Sequence, residues 1–80
     1  MLTSYLNAAL QKANYEILED DKSFYGEIPG FAGVYANAAL LEQCRTELAE
    51  VLEEWVLFRV SRNLPLPIVD SLELVIKEVA

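Results

Sequence analysis

Between residues 40 and 63 (LLEQCRTELAEVLEEWVLFRVSRN) apolar side chains recur every three or four positions, in the longest stretch free of Gly and Pro. Leu41, Cys44, Leu48, Val51, Trp55 and Phe58 fall on one face of a 3.6-residue helix. Glu42, Glu47, Glu50, Glu53 and Glu54 fall mostly on the other faces, as a solvated side requires. The spacing predicts a main helix over 38–63. Asn37 can cap its start and Asn63 can take the left-handed position at its end, with Arg59 and Arg62 near the negative end of the dipole. The 24 positions of 40–63 alone span about 36 Å, against about 20 Å for a six-residue strand. The helix must overhang any sheet it covers. The 41-to-58 line suits the sheet, and Leu52, Val56, Leu57 and Val60 then need another surface.

Upstream, Leu2, Tyr5, Leu6, Ala9, Leu10 and Ala13 have helical spacing, with Thr3 or Ser4 as a possible cap, so 1–13 predicts a short helix centred on 3–12. The period then drops to two. Alternation over 14–19 and 24–28 around the polar turn Asp20-Asp21-Lys22-Ser23 predicts an antiparallel hairpin. Pro29-Gly30 suits a type II turn, and 33–36 predicts a third strand, closing a three-stranded meander over 14–36. Leu64-Pro65-Leu66-Pro67 opens a stiff connector over 64–71, and alternation predicts a last strand over 72–79. The expected architecture is one α+β domain over 1–80 in two layers: a short helix, then βββαβ, with the long helix on an antiparallel sheet.

Eighty residues bury only about 60% of their unfolded surface. A hydrophobic content of 54% exceeds what so thin a core needs, which predicts a homodimer or higher oligomer, or a stable partner. Thirteen acidic against six basic residues give a net charge of −7. Such a surface repels phosphate, so direct nucleic-acid binding is not expected, and it attracts basic proteins. Without a basic leader, a long apolar run or a disulfide pair, the chain reads as cytoplasmic, with no membrane partner.

Candidate chemistry is sparse. The chain has no histidine, and its one cysteine, Cys44, lies on the apolar stripe as a small core residue. Glu19-Asp20-Asp21 lacks the spaced further ligands of a cation loop, so it reads as a solvated turn. Pro29-Gly30-Phe31-Ala32-Gly33 lacks the lysine of a phosphate cradle, and the serines have no base to activate them. No catalytic residue, metal site or cofactor is expected, and the chain is not expected to be an enzyme. Trp55 reads either as a core residue over the sheet or as an interface anchor, since Trp and Arg dominate hot spots and Arg59 lies one turn away. The candidate partner or subunit interface is Leu52, Trp55, Val56, Arg59 and Val60.

Four stretches in order carry a resemblance to a known family: Tyr15-Glu16-Ile17-Leu18-Glu19-Asp20; Tyr25-Gly26-Glu27-Ile28-Pro29-Gly30-Phe31; Gly33-Val34-Tyr35-Ala36-Asn37-Ala38; and Leu41 to Arg45 with Leu48 to Val56, followed by Pro65-Leu66-Pro67. Together they cover about two thirds of the chain, and their order and spacing resemble the HicB-like antitoxins. The resemblance implies a degenerate RNase-H-like fold without catalytic carboxylates, which binds and neutralises a small basic HicA-like mRNA-cleaving toxin. Many relatives also carry a C-terminal DNA-binding module. The chain ends at Ala80, so a short form without that module is expected, and Leu40 stands where relatives usually place a capping threonine. The alternative is a stand-alone oligomeric structural or regulatory module with no toxin. A residual nuclease, the third class, would need magnesium or manganese, and its activity is expected to be absent.

Overall fold

The computed structural model describes residues 2–69. The last strand expected over 72–79, and the end of the connector, lie outside the described residues. Those described run in the order α1 (Leu2–Gln11), β1 (Asn14–Ile17), β2 (Phe24–Glu27), β3 (Tyr35–Ala38) and α2 (Leu41–Ser61). The strands form an antiparallel sheet in the order β1-β2-β3, with Tyr15 opposite Gly26 and Gly26 opposite Ala36. The α2 helix lies across β2 and β3, and α1 packs against it. This is the expected α+β arrangement of a helix layer on a sheet layer.

Each junction has a local cause. After β1, Leu18 and Ser23 remain paired through the Leu18 N–H and the Ser23 carbonyl at 2.8 Å. Lys22 turns the chain at φ 60°. The strand therefore stops at Ile17 rather than at residue 19. The Asp21 carboxylate accepts from the Ser23 N–H at 3.0 Å and the Ser23 hydroxyl at 2.6 Å, the self-satisfied polar turn that the residue types predict.

Those two donors, led by the hydroxyl, hold the Asp21 carboxyl below its ordinary value of 3.8. A carboxyl lowered on folding stabilises the turn above its unfolded pKa and loses that contribution as the pH falls through its folded one. Acid titration should therefore give an Asp21 midpoint below 3.8. Ser23→Ala should move it back upward, which the side-chain carboxyl resonance in NMR would read directly.

Between β2 and β3 the chain makes two successive turns that share Phe31. The Phe31 N–H donates to the Ile28 carbonyl and the Val34 N–H to the Phe31 carbonyl, both at 3.1 Å. Gly30 and Gly33, each third in its turn, have φ of 86° and 91°. The first is the Pro-Gly turn predicted above, with the glycine that type II geometry asks for. The second corrects the expected third strand: Gly33 and Val34 belong to a turn, and β3 begins two residues later.

The shift also moves the start of α2. Asn37 lies inside β3 and does not cap the helix. Its amide donates to the Ser23 hydroxyl and the Phe24 carbonyl, both at 2.8 Å, tying β3 to the start of β2. The position before α2 is Leu40, extended at φ −119° and without a side-chain cap. The other end follows expectation. Asn63 is left-handed at φ 56°, the Leu64 N–H reaches the Arg59 carbonyl at 2.9 Å and the Asn63 N–H the Val60 carbonyl at 3.1 Å. This is the paired bonding of a Schellman end.

The core joins Tyr5 and Ala9 of α1, Ile28, Phe31 and Val34 of the double turn, Ala36 and Ala38 of β3, Val69, and Cys44, Leu48, Leu52 and Val56 of α2. The buried line of α2 thus advances in steps of four and drifts by about 40° per step. That drift carries it off the sheet, whose four-residue strands span only about 13 Å. The overhang is covered from within the chain by α1, by the double turn and by the segment around Pro65 and Pro67. The Tyr5 hydroxyl donates to the Pro67 carbonyl, closing the N-terminal helix onto that segment.

Candidate partner-binding surfaces

Of the five residues proposed for an interface, Leu52 and Val56 are wholly buried inside the chain's own core. Both are corrected from interface to core. The reason is the cover just described: the overhanging half of α2 meets its own turn and connector before it can meet anything else. Trp55, Arg59 and Val60 stay together at the surface, each half-buried. The opposite correction applies to Leu41 and Phe58, assigned above to the sheet but 40% and 53% exposed.

Of the two roles left open for Trp55, the structure shows the core one: it packs against the buried cluster, at the double turn rather than over the sheet. Its ring stands 5.2 Å from that of Phe31 at 56°, and Phe31 in turn lies 6.3 Å from Tyr5. Its indole N–H donates to the Ala32 carbonyl at 3.1 Å. On its outer side the Arg59 guanidinium sits 4.7 Å from the ring centroid and donates through Nε to the Pro65 carbonyl at 2.9 Å. Trp55 and Arg59 thus clamp the double turn and the proline segment to α2, around a surface hollow of 360 Å³ that also involves Gly30 and Leu66. Trp55→Phe keeps an aromatic ring beside Phe31 but loses the hydrogen bond to the exposed Ala32 carbonyl, which water then takes up. It should cost about 1 kcal/mol in chemical denaturation.

A second surface was not singled out from spacing alone. The register places Tyr15, Ile17, Phe24, Gly26, Ala36 and Ala38 on the helix side of the sheet. The opposite face carries two rows: Glu16, Tyr25 and Asn37, then Asn14, Glu27 and Tyr35. The Tyr25 and Tyr35 rings stack at 6.2 Å and 25°, with Tyr35 58% exposed. Burial, then the Glu27 carboxylate, Tyr35 and the Glu16 carboxylate push the Tyr25 hydroxyl above its ordinary pKa. The alternation of strands 14–19 and 24–28 already held this face in outline. Pairing across strands, which brings the tyrosines together, was not legible until the register was known.

The remaining chemistry stays in the background. Cys44 is buried, its thiol donates to the Ala36 carbonyl at 3.6 Å, and burial followed by the Glu47 charge raises its pKa. It is the small core residue expected, with little thiolate character. Among the described residues no group of three His, Cys, Asp or Glu is placed to hold a metal ion. No helix among them is long and apolar enough to cross a membrane.

Fold and composition define a small acidic α+β domain. The chain matches the family described as UPF0150-like over residues 4–67, and it belongs to that family. Among solved structures it is similar to TTHA0281 from Thermus thermophilus, with a TM-score of 0.90 and 36% identity, over 96% of this chain and 95% of that one. Among curated proteins nothing matches.

Proposed function

We propose that this chain is a HicB-like antitoxin domain, which acts by covering a small basic mRNA-cleaving toxin and performs no catalysis of its own. The observation that carries the reading is the charge pattern: a net charge of −7, with carboxylates both on the open sheet face and along the solvent side of α2. Such surfaces speed encounter with a basic partner and oppose phosphate. The family resemblance supports it, since the motif stretches fall in order on β1, β2 with its double turn, β3 and α2. Occlusion needs only a surface that competes with RNA for the toxin's basic face, so the absence of histidine costs this function nothing. The working place of such a protein is the cytoplasm.

The test is co-expression with a small basic protein encoded in a neighbouring reading frame. It should co-purify with this chain, and the growth arrest it causes alone should be relieved. Separate elution with undiminished toxicity sinks the reading.

A second reading, a self-associating module without a toxin, is favoured by Leu57 and Phe58, which stand 48% and 53% exposed near the end of α2. It predicts a dimer or larger assembly in light scattering at micromolar concentration and no basic open reading frame alongside. A monomer under those conditions excludes it.

A further inference from the structure

We propose that the open face of the sheet is a docking surface for the arginine side chains of a basic protein, centred on Tyr25, Tyr35, Glu16 and Glu27. This rests on the antitoxin reading and adds where the partner sits. The six side chains of the two rows cover a patch of about 10 by 7 Å. All six positions hold carboxylate, phenol or amide groups, with neither a cation nor an aliphatic chain among them. Glu16 stands directly opposite Tyr25 and Glu27 directly opposite Tyr35, so aromatic and anionic groups form one patch. A shallow hollow of 380 Å³ adjoins the patch between Tyr25, Glu27, Tyr35 and the 28–34 double turn.

The chemistry selects the occupant. A guanidinium can lay its plane on a tyrosine ring while its N–H groups reach a carboxylate, and here both acceptor types alternate across the strands. A second copy of this chain would set Glu16 and Glu27 against their own kind. Like charges in contact disfavour that arrangement. A nucleic acid would bring phosphates to the same carboxylates. Asn37 is held in place by its bonds to Ser23 and Phe24, and the Tyr25–Tyr35 stack orders the two rings. The face is therefore largely arranged before the partner arrives, which lowers the cost of ordering it.

The competing acidic surface is α2, where Glu42, Glu47, Glu50, Glu53 and Glu54 offer more charge, but where the hollow that brings Tyr15 beside Glu50 and Glu53 also holds a cation, Arg45. That contrast sets the experiment. The full chain, labelled with ¹⁵N, is titrated with an octa-arginine peptide at about 0.15 M salt, where exposed charges further apart than about 8 Å are screened. Amide shifts should concentrate on β1, β2 and β3. Glu16→Gln/Glu27→Gln and Tyr25→Ala/Tyr35→Ala should each weaken binding by about tenfold. Glu53→Gln/Glu54→Gln should change it less than twofold. Circular dichroism verifies that each variant is folded, and the glutamine pair carries the test if the tyrosine pair is not.

Shifts confined to α2, no binding, or full affinity in the glutamine pair would each overturn the proposal. The co-expressed basic protein separates this failure from that of the antitoxin reading. Capture by the native chain that persists unchanged in both double variants overturns the docking face alone. No capture by the native chain overturns the antitoxin reading, and arginine binding on the sheet would then still support the face.

Discussion

Leu52→Ala is expected to destabilise the chain by about 2–5 kcal/mol, the range for removing a buried leucine and leaving a cavity. Leu52 has no exposed surface, and it sits in the line Cys44, Leu48, Leu52, Val56 that fills the space under α2. A domain of 80 residues has about 4–12 kcal/mol in total, so this change removes a large part of the margin. The midpoint of thermal unfolding should fall by roughly 10 °C or more. Protein concentration supplies the decisive control. A core leucine lowers the midpoint by the same amount at every concentration, whereas an interface leucine acts through assembly and its effect varies with dilution. Phe58→Ala is the counterpart. Phe58 is 53% exposed and its ring meets the Arg62 guanidinium at 4.9 Å, so the loss should stay near or below about 1 kcal/mol. Equal losses at the two positions would contradict this packing.

Gly26→Ala is expected to cost about 1–3 kcal/mol, although it adds a single methyl group. Gly26 is buried in the central strand, opposite Tyr15 on one side and Ala36 on the other. A Cβ there would stand 2.7 Å from Tyr15 Cε1, 2.8 Å from Tyr15 Cδ1 and 3.4 Å from Cys44 Sγ. The first two distances force the ring to move, and the third leaves little room on the helix side. The ring crosses over the glycine, so its displacement should be the main cost. Tyr15→Ala removes the obstruction, and in that background the same glycine change should cost clearly less. A double-mutant cycle read by urea denaturation measures the difference directly. An unchanged cost in the cycle would move the cause from the ring to the Cys44 side.

Much of this molecule was legible in the order of its residues. Period 3.6 located both helices, period 2 located the hairpin, and Asp-Ser, Pro-Gly and Asn63 marked their turns by side-chain chemistry that acts within a few residues. Those features are local, so they survive translation from sequence to structure. Two strand ends were misplaced by local turns, at Lys22 and at Gly33, and the other misassignments depended on what lay across space. Asn37 has the chemistry of a helix cap, yet its amide is engaged by Ser23 and Phe24, fourteen and thirteen residues away.

The candidate site divides along the same line. Composition alone determined an acidic chain without histidine. Spacing alone determined a helix too long for its sheet. Only the tertiary structure decided what covers the excess, because α1, the double turn and the proline segment reach it from distant parts of the sequence. That cover takes Leu52 and Val56 into the core and leaves Trp55 and Arg59 as a clamp at the surface. Only the register brought Tyr25 onto Tyr35 between two carboxylates, since ten residues and two turns separate the tyrosines along the chain. A periodic pattern specifies which way a side chain faces. Which neighbour it meets there is set by packing that no single segment encodes.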